Sequence, residues 1–194
     1  GIGHWYLLAR SRLDRARHVR NKIMDGTLAF IFVVAGLSDM AFNDCATGCL
    51  QQKPADARLG IQAADVIFQD ETISQELYIG YDTGRSYGPF QPTFGISGTA
   101  DGDMWMGAGA KWTSKNISAG PFFVEASLMP GIYAQEDGPD LGGALQFRSA
   151  VGAGYEFENG ATLAVLFAHR SNADTQNVNP GLETLSLRYA FSLN

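Results

Sequence analysis

Three residues towards the end of the 194-residue chain have the types and spacing of a hydrolytic catalyst. His169 and Ser171 are two positions apart, so on a β-strand their side chains point to the same face. Glu183 opens the next alternating segment, on the face that an antiparallel pairing would turn the same way. A serine becomes a nucleophile when a base takes its proton, and a carboxylate fixes the tautomer of that base. We therefore expect a Ser-His-Glu triad, with a surface histidine beside a loop serine as the ordinary alternative.

The segments that must position these residues alternate with a period of two from about residue 59 onward, which is typical of β-strands. The last segment is the clearest, because Leu185, Leu187 and Tyr189 share one face and Ser186 and Arg188 share the other. The pattern predicts eight strands, at residues 60–69, 75–83, 90–99, 103–114, 121–135, 142–158, 161–171 and 182–194.

Periodicity alone leaves open which face is inside. Four charged residues lie opposite the large apolar side chains: Arg148, Glu156, Arg170 and Arg188. A soluble sandwich would place them in water, whereas a transmembrane barrel turns the apolar face to lipid and the charges into the lumen, where they must pair. We expect the eight-stranded antiparallel outer-membrane barrel, because the strands are long and even in number and an export signal precedes them.

The predicted loops also favour the barrel. Residues 135–143 and 172–181 are long polar connections, while Asn159-Gly160 predicts a tight two-residue hairpin. Long loops at one end and short turns at the other are typical of outer-membrane barrels. A barrel of eight strands has no pore, because side chains fill its interior.

Composition excludes several classes of protein. Charged residues make up 18% and hydrophobic residues 45%, which fits one folded domain or one membrane barrel. Residues 1–41 hold six of the 14 basic residues and three of the 20 acidic ones, so the remainder carries a net charge of −9. That remainder has no basic stripe that could bind nucleic acid.

The N-terminal part resembles an export signal in its pattern of charge and hydropathy. A cationic stretch precedes an apolar run of 11 residues, Thr27 to Leu37, which is too short to span a bilayer as a helix. We predict a signal peptide at residues 1–41, a linker at 42–58 and the barrel at 59–194, with the mature protein beginning between residues 38 and 50. An uncleaved anchor helix is the alternative. In either case the apolar run should be helical and make few contacts with the barrel.

Two cysteines follow this segment, Cys45 and Cys49. In an exported chain they are expected to form a short disulfide or to remain as thiols. A lipid-anchored cysteine is a third reading, but the residues before Cys49 match that signal poorly. A metal site would need further ligands nearby, and the sequence around them supplies none.

The segment 169–188, HRSNADTQNVNPGLETLSLR, resembles the lipid A 3-O-deacylases, the PagL family of outer-membrane acyl hydrolases. The family pattern has His-x-Ser-Asn, then a loop Asn, then a Glu 14 residues after the His, and Glu183 is at that position. Segments 145–173 and 121–134 are also similar, so the resemblance covers residues 120–194 well and 60–119 loosely.

The resemblance implies a role for each matching residue. Ser171 would be the nucleophile, His169 the base and Glu183 the acid that orients the base. Asn179 would donate to the oxyanion, and Asn172 would support the site.

The resemblance further implies hydrolysis of the ester that holds a 3-hydroxyacyl chain on the 3-position of lipid A, with no metal and no organic cofactor. The protein would be integral to the outer membrane of a Gram-negative bacterium. Its partners would be lipopolysaccharide and membrane lipid, not nucleic acid, and a homodimer is left open. Two alternatives remain: a related phospholipase with the same triad, and a non-catalytic barrel that serves as an adhesin or envelope anchor.

Overall fold

The computed structural model describes residues 26–193. Its elements are helix α1 (Thr27–Asp39) with a π-helical extension (Met40–Asp44), a 3-10 turn (Ser114–Asn116), and strands β1 (Gln52–Pro54), β2 (Arg58–Phe68), β3 (Glu71–Asp82), β4 (Arg85–Tyr87), β5 (Gln91–Thr99), β6 (Met104–Thr113), β7 (Phe122–Ala134), β8 (Leu145–Glu156), β9 (Thr162–Ser171) and β10 (Leu182–Ser192). Eight strands close into a barrel in the order β10-β2-β3-β5-β6-β7-β8-β9, and every neighbouring pair is antiparallel.

The predicted eight-stranded antiparallel barrel is therefore confirmed, and the ends of each strand agree with the prediction within four residues. The largest difference is at the start of β3, where the register against β2 shifts between Val66 and Ile67. Such a bulge interrupts the alternation from which the strand was predicted. The sequence also gave no sign of β1 and β4, which pair with each other outside the barrel. Each has three residues, too few to show a period.

The charged residues predicted to point into the lumen do so. Arg170 pairs with Glu76 across the barrel interior, with 2.8 Å between Nη2 and Oε2. Arg188 makes two parallel bonds to Glu125, of 2.6 and 2.7 Å. Such paired, buried charges fill the interior of a small barrel.

Two further lumen charges are held differently. The Arg148 guanidinium lies 4.6 Å from the centre of the Tyr78 ring, in the geometry of a cation–π contact. Glu156, the last residue of β8, pairs with Arg58, at 3.0 Å, and with Lys115, at 3.2 Å. The outer face of the same strands carries exposed Leu, Ile, Val, Met and Phe side chains, as a lipid-facing wall requires.

We call the end of the barrel with the loops 69–70, 100–103, 135–144 and 172–181 the upper end, and the opposite one the lower end. The two longest loops, 135–144 and 172–181, both lie at the upper end, as predicted. The lower connections are not all short, however, because residues 83–90 include β4 and residues 114–121 include the 3-10 turn.

The hairpin between β8 and β9 has three loop residues and not the predicted two. Phe157 N donates to Ala161 O at 2.9 Å, which leaves Glu158, Asn159 and Gly160 in the loop. Gly160 has a φ of +79°, the left-handed conformation that a three-residue hairpin places at this position.

Aromatic side chains form a ladder on the lower part of the outer wall. Consecutive ring centroids in the ladder are 4.9 to 6.5 Å apart, and its members are Phe122, Tyr155, Phe157, Tyr189 and Phe191. Aromatic girdles of this kind mark the membrane–water boundary of outer-membrane barrels. The ladder therefore locates one boundary of the bilayer near the lower end.

The apolar run Thr27–Leu37 is helical as predicted, but the expectation of few contacts with the barrel is wrong. Helix α1 lies along the outer wall formed by β6, β7 and β8, where Phe32 packs against Trp112 and Ala126. The surfaces of α1 and of the outer wall are both apolar. Packing the helix against the wall therefore buries apolar surface that would otherwise contact lipid or solvent. With its extension the helical segment reaches Asp44 and has 18 residues, long and apolar enough to cross a membrane by length and composition.

The lower end of α1 is fixed by two specific contacts. Gly36 leaves room for the ring of Phe90, since a Cβ atom at this glycine would clash with Phe90. Asp39 is buried, and its Oδ2 accepts a 2.8 Å hydrogen bond from Trp112 Nε1. Immediately after the helix, Cys45 and Cys49 form a disulfide, the first of the states expected for them.

Candidate active site

The register of β9 and β10 places His169 directly opposite Glu183. Imidazole Nδ1 lies 3.1 Å from the carboxylate Oε1 of Glu183, within hydrogen-bond distance. When Nδ1–H donates to this carboxylate, Nε2 is the basic nitrogen of the ring. The pair thus has the arrangement in which a carboxylate orients a histidine base.

Ser171 is the last residue of β9 and lies on the same outward face as His169. Residues two positions apart on a strand have Cα atoms about 7 Å apart. At this separation the serine side chain can extend towards one side of the imidazole. His169 is 1% exposed and Ser171 is 6% exposed. The three predicted triad residues therefore share one face, and two of them are joined by a hydrogen bond.

The backbone of Gly181 covers one side of the imidazole. A Cβ atom at this position would lie 2.7 Å from His169 Cε1, and the φ of +71° also disfavours any other residue. Gly181 therefore leaves room for the imidazole on the loop side, while Glu183 contacts it from β10. Gly181 is not among the site residues predicted from the sequence, although the Asn-Pro-Gly turn at 179–181 was a signal for it.

Asn172 joins the two long upper loops. Its side chain is fully buried, and Nδ2 donates to Leu141 O at 3.0 Å and to Val178 O at 2.6 Å. Its backbone N donates to Asn179 Oδ1 at 3.1 Å. The two asparagines of the predicted site are thus in direct contact, and Asn172 supports the loop beside Ser171.

Loop 172–181 begins in an unusual conformation. Ala173 and Asp174 both have a positive φ, 54° and 57°, which non-glycine residues seldom adopt. Asp174 Oδ1 accepts a 3.1 Å hydrogen bond from Asn179 Nδ2. Each such residue costs about 1–3 kcal/mol, and strain of this kind clusters at functional sites.

The region that contains these residues matches a known family of enzymes. The family model for lipid A 3-O-deacylase (PagL) matches residues 76–192, which include all five predicted site residues. The lipid A deacylase PagL of Pseudomonas aeruginosa is 35% identical over 69 residues, which are 34% of this chain and 40% of that protein. The protein of the same name from Bordetella bronchiseptica is 27% identical over 82 residues, 41% of this chain and 43% of its own length.

The chain thus spans about two fifths of the length of these curated relatives. Among solved structures, the crystal structure of the outer membrane enzyme PagL superimposes with a TM-score of 0.56 at 21% identity. That match covers 71% of this chain and 99% of the other, and it supports the barrel fold. Because the family model covers more than half of its residues, the chain belongs to the lipid A 3-O-deacylase (PagL) family.

Proposed function

We propose that this protein is an outer-membrane lipid A 3-O-deacylase, a serine esterase that removes the ester-linked 3-hydroxyacyl chain from the 3-position of lipid A. The observation that carries the proposal is the 3.1 Å contact between His169 and Glu183 on the outward face of β9 and β10. Ser171 lies on that face at the upper end, inside the region that the family model matches.

The first chemical step forms an acyl-enzyme. Ser171 Oγ attacks the ester carbonyl carbon while its proton passes to Nε2 of His169, and Glu183 stabilises the imidazolium that results. The tetrahedral intermediate then collapses, and the proton on Nε2 goes to the departing sugar oxygen. The acyl chain is left on Ser171.

The second step releases the fatty acid. His169 takes a proton from a water molecule, the hydroxide attacks the acyl-enzyme carbonyl, and the proton returns to Ser171 Oγ as the ester bond breaks. Asn179 is the proposed side-chain donor to the oxyanion. Its Nδ2 carries two hydrogens, so the bond to Asp174 is compatible with that role. One oxyanion donor typically contributes a few kcal/mol.

A site on the outside of the barrel wall suits a substrate that is itself a membrane lipid. The chain is an integral barrel of the outer membrane, and long loops at the upper end are typical of the extracellular side. The outer leaflet, where lipopolysaccharide is found, would then meet the wall at the level of Ser171.

The test is mass spectrometry of lipid A after incubation with the purified, refolded protein. We expect the mass of lipid A to fall by that of one 3-hydroxy fatty acid less one water, and the same fatty acid should appear free in solution. The control is Ser171→Ala, prepared in the same way and checked for folding by its change of mobility on heating.

The other possible outcomes would indicate a different function for this chain. Release of fatty acid from phospholipid, with lipid A unchanged, would make the chain a phospholipase. A folded wild-type barrel that cleaves neither lipid would be a non-catalytic adhesin or envelope anchor. Either result would contradict the proposal.

We propose further that residues 1–41 are an export segment, that residues 42–58 link it to the barrel, and that lipid A is the main partner. Light scattering of the detergent-solubilised protein would decide whether the barrel forms the homodimer that the sequence leaves open.

A further inference from the structure

A polar pair lies on the lipid-facing wall beside the candidate active site. Asp65 on β2 and Gln75 on β3 are directly opposite each other in the register, and both are exposed. Their neighbours along the outward face, Ala63 and Leu77, are apolar. A carboxylate and an amide therefore face the membrane side by side.

The position of this carboxylate sets it apart. Apart from Glu71 at the rim of β3, the outward-facing Asp, Glu, His, Lys and Arg residues in the eight barrel strands described are Asp65, His169 and Glu183. Asp65 is opposite Leu185, which is two residues below Glu183 on the same face of β10. These three side chains of the outer wall thus lie on β9, β10 and β2, one patch of the surface.

Nothing in the fold accounts for Asp65 at this place. The lumen carboxylates Glu76, Asp82, Glu125 and Glu156 each have a cationic partner, whereas the side chains of Asp65 and Gln75 have no hydrogen-bond partner among residues 26–193. Ionisable residues that face the membrane are rare and by default functional. Asp65 is three residues below the upper end of β2, where its cost against lipid is about 0–1 kcal/mol.

A groove connects this pair to the wall below the candidate triad. It has a volume of about 410 Å³ and crosses the outer faces of β9, β10, β2 and β3. Val165, Leu185 and Leu187 line its apolar part, and Asp65 and Gln75 line its polar part. An extended apolar chain that also carries a hydrogen-bonding group would match both parts of this lining.

We propose that this groove binds a hydroxylated acyl chain of the substrate, and that Asp65 and Gln75 recognise the hydroxyl. The carboxylate accepts the hydroxyl hydrogen, a charge-assisted bond that is strong where water is scarce, and the Gln75 amide donates to the hydroxyl oxygen. The plain acyl chains of phospholipids offer no such donor. The pair is thus a specificity determinant for lipids with 3-hydroxyacyl chains, an inference that rests on the proposed deacylase function.

The test compares two substrates with four proteins. The substrates are lipid A and a synthetic analogue that differs only in having hydrogen in place of each acyl hydroxyl. The proteins are the wild type, Asp65→Leu, Asp65→Asn and Gln75→Leu, each checked for folding by its mobility on heating. Replacement by leucine puts an apolar side chain against lipid, so the barrel is expected to form.

For the wild type we expect kcat/KM to be at least about tenfold higher with lipid A than with the analogue, the range for a hydrogen bond to a charged group. Asp65→Leu should bring this ratio close to one, chiefly through a higher KM for lipid A. Asp65→Asn keeps an acceptor oxygen and should give an intermediate ratio, and Gln75→Leu should also lower it.

Failure of the proposed deacylase function and failure of the Asp65 assignment would give different results. If folded wild-type protein hydrolyses neither substrate, the proposed function is wrong. If it hydrolyses lipid A and the ratio is the same in Asp65→Leu as in the wild type, the deacylase function stands and the assignment of Asp65 is overturned.

Discussion

The two faces of the barrel wall use polar residues in different ways. In the lumen, carboxylates and cations face each other across the interior, as in the pairs Arg170–Glu76 and Arg188–Glu125. On the outer face, His169 and Glu183 form a pair within the wall itself, between neighbouring strands, and the surfaces around them are apolar.

The difference follows from the two environments. A buried charge in the lumen must be matched, so its partner is explained by stability alone. On the lipid side a leucine would serve stability better than a polar residue, so polar residues grouped there indicate chemistry. Substitutions of the polar residues on the lipid-exposed outer face should therefore change activity and leave stability nearly unchanged, whereas substitutions in the lumen should do the reverse.

The largest effect is expected for Ser171→Ala. It removes the proposed nucleophile, so the rate of lipid A deacylation should fall by at least about a thousandfold. The change deletes one oxygen at the rim of the barrel, so the urea concentration at mid-unfolding should stay the same. Rates are measured by mass spectrometry of the released fatty acid.

Ser186→Ala is the matched control on the other face. Ser186 is buried in the lumen and its hydroxyl donates to Leu166 O at 3.3 Å. The same deletion there should reduce stability by about 1 kcal/mol and leave the deacylation rate per folded molecule unchanged. If Ser171→Ala deacylates lipid A at nearly the wild-type rate, the proposed triad is refuted.

Glu183→Ala should have the next largest effect. The carboxylate orients His169 and does not itself react, so the loss of activity should be about ten to a hundred times smaller than for Ser171→Ala. Glu183→Gln keeps the shape and should lie between the wild type and Glu183→Ala. Equal activity in Glu183→Ala and the wild type would mean that the 3.1 Å contact with His169 has no part in catalysis.

The placement of His169, Ser171 and Glu183 on one face was predictable from sequence, but their surroundings were not. Two positions of a strand and one of the next strand define a common face by periodicity alone, and the polar loop between them is short enough to make the strands neighbours. Gly181 and Asp174 act through loop geometry, which has no period to detect. The left-handed conformation of Ala173 has no signature in residue type, and that of Asp174 has only the modest preference of aspartate for this region.

The barrel and its N-terminal region also differ in how much of their structure the sequence predicts. Long strands show many alternations, and their number and order followed from the sequence. For α1 the residue types predicted a helix, but an apolar helix has the same composition whether it faces lipid or packs against Trp112 and Ala126. Only the contacts of Gly36 and Asp39 distinguish a helix packed against the barrel from one that faces lipid, and these contacts depend on the fold of the barrel.

A lumen pair should affect stability and not catalysis. Glu125→Gln leaves the Arg188 guanidinium buried without its counter-charge, which is expected to cost about 3–5 kcal/mol of the free energy of unfolding. Urea titration in detergent measures this loss, and the deacylation rate per folded molecule should equal that of the wild type.

The control for this lumen prediction is the double variant Glu125→Leu with Arg188→Met. It replaces the ion pair by apolar side chains and should recover most of the stability that Glu125→Gln loses. If Glu125→Gln is as stable as the wild type but deacylates more slowly, the assignment of stability to the lumen residues and of activity to the outer face is wrong.

The smallest effect is expected where α1 meets the outer wall. Trp112→Phe keeps an aromatic ring against Phe32 but removes the indole N–H that donates to Asp39. Asp39 Oδ2 then keeps one donor, Asn116 Nδ2 at 3.4 Å. Loss of one partner of a buried hydrogen bond costs about 1–3 kcal/mol, and the second donor puts our expectation at the lower limit. A change of about 1 kcal/mol corresponds to about 2–4 °C in Tm for a chain of this size, which calorimetry in detergent can measure.

This effect depends on whether α1 is still present, which makes it a test of the export segment as well. In protein that retains residues 27–44, Trp112→Phe should lower Tm as stated. In protein that begins at residue 42, Asp39 is gone, and Trp112 would face lipid, so the same substitution should leave Tm unchanged. N-terminal sequencing of protein extracted from outer membranes then shows which form exists in the cell: a start between residues 38 and 50 supports the signal peptide, and a start before residue 27 supports a retained helix. An equal decrease of Tm in both forms would contradict the role of the Asp39–Trp112 bond, because the shorter form cannot make it.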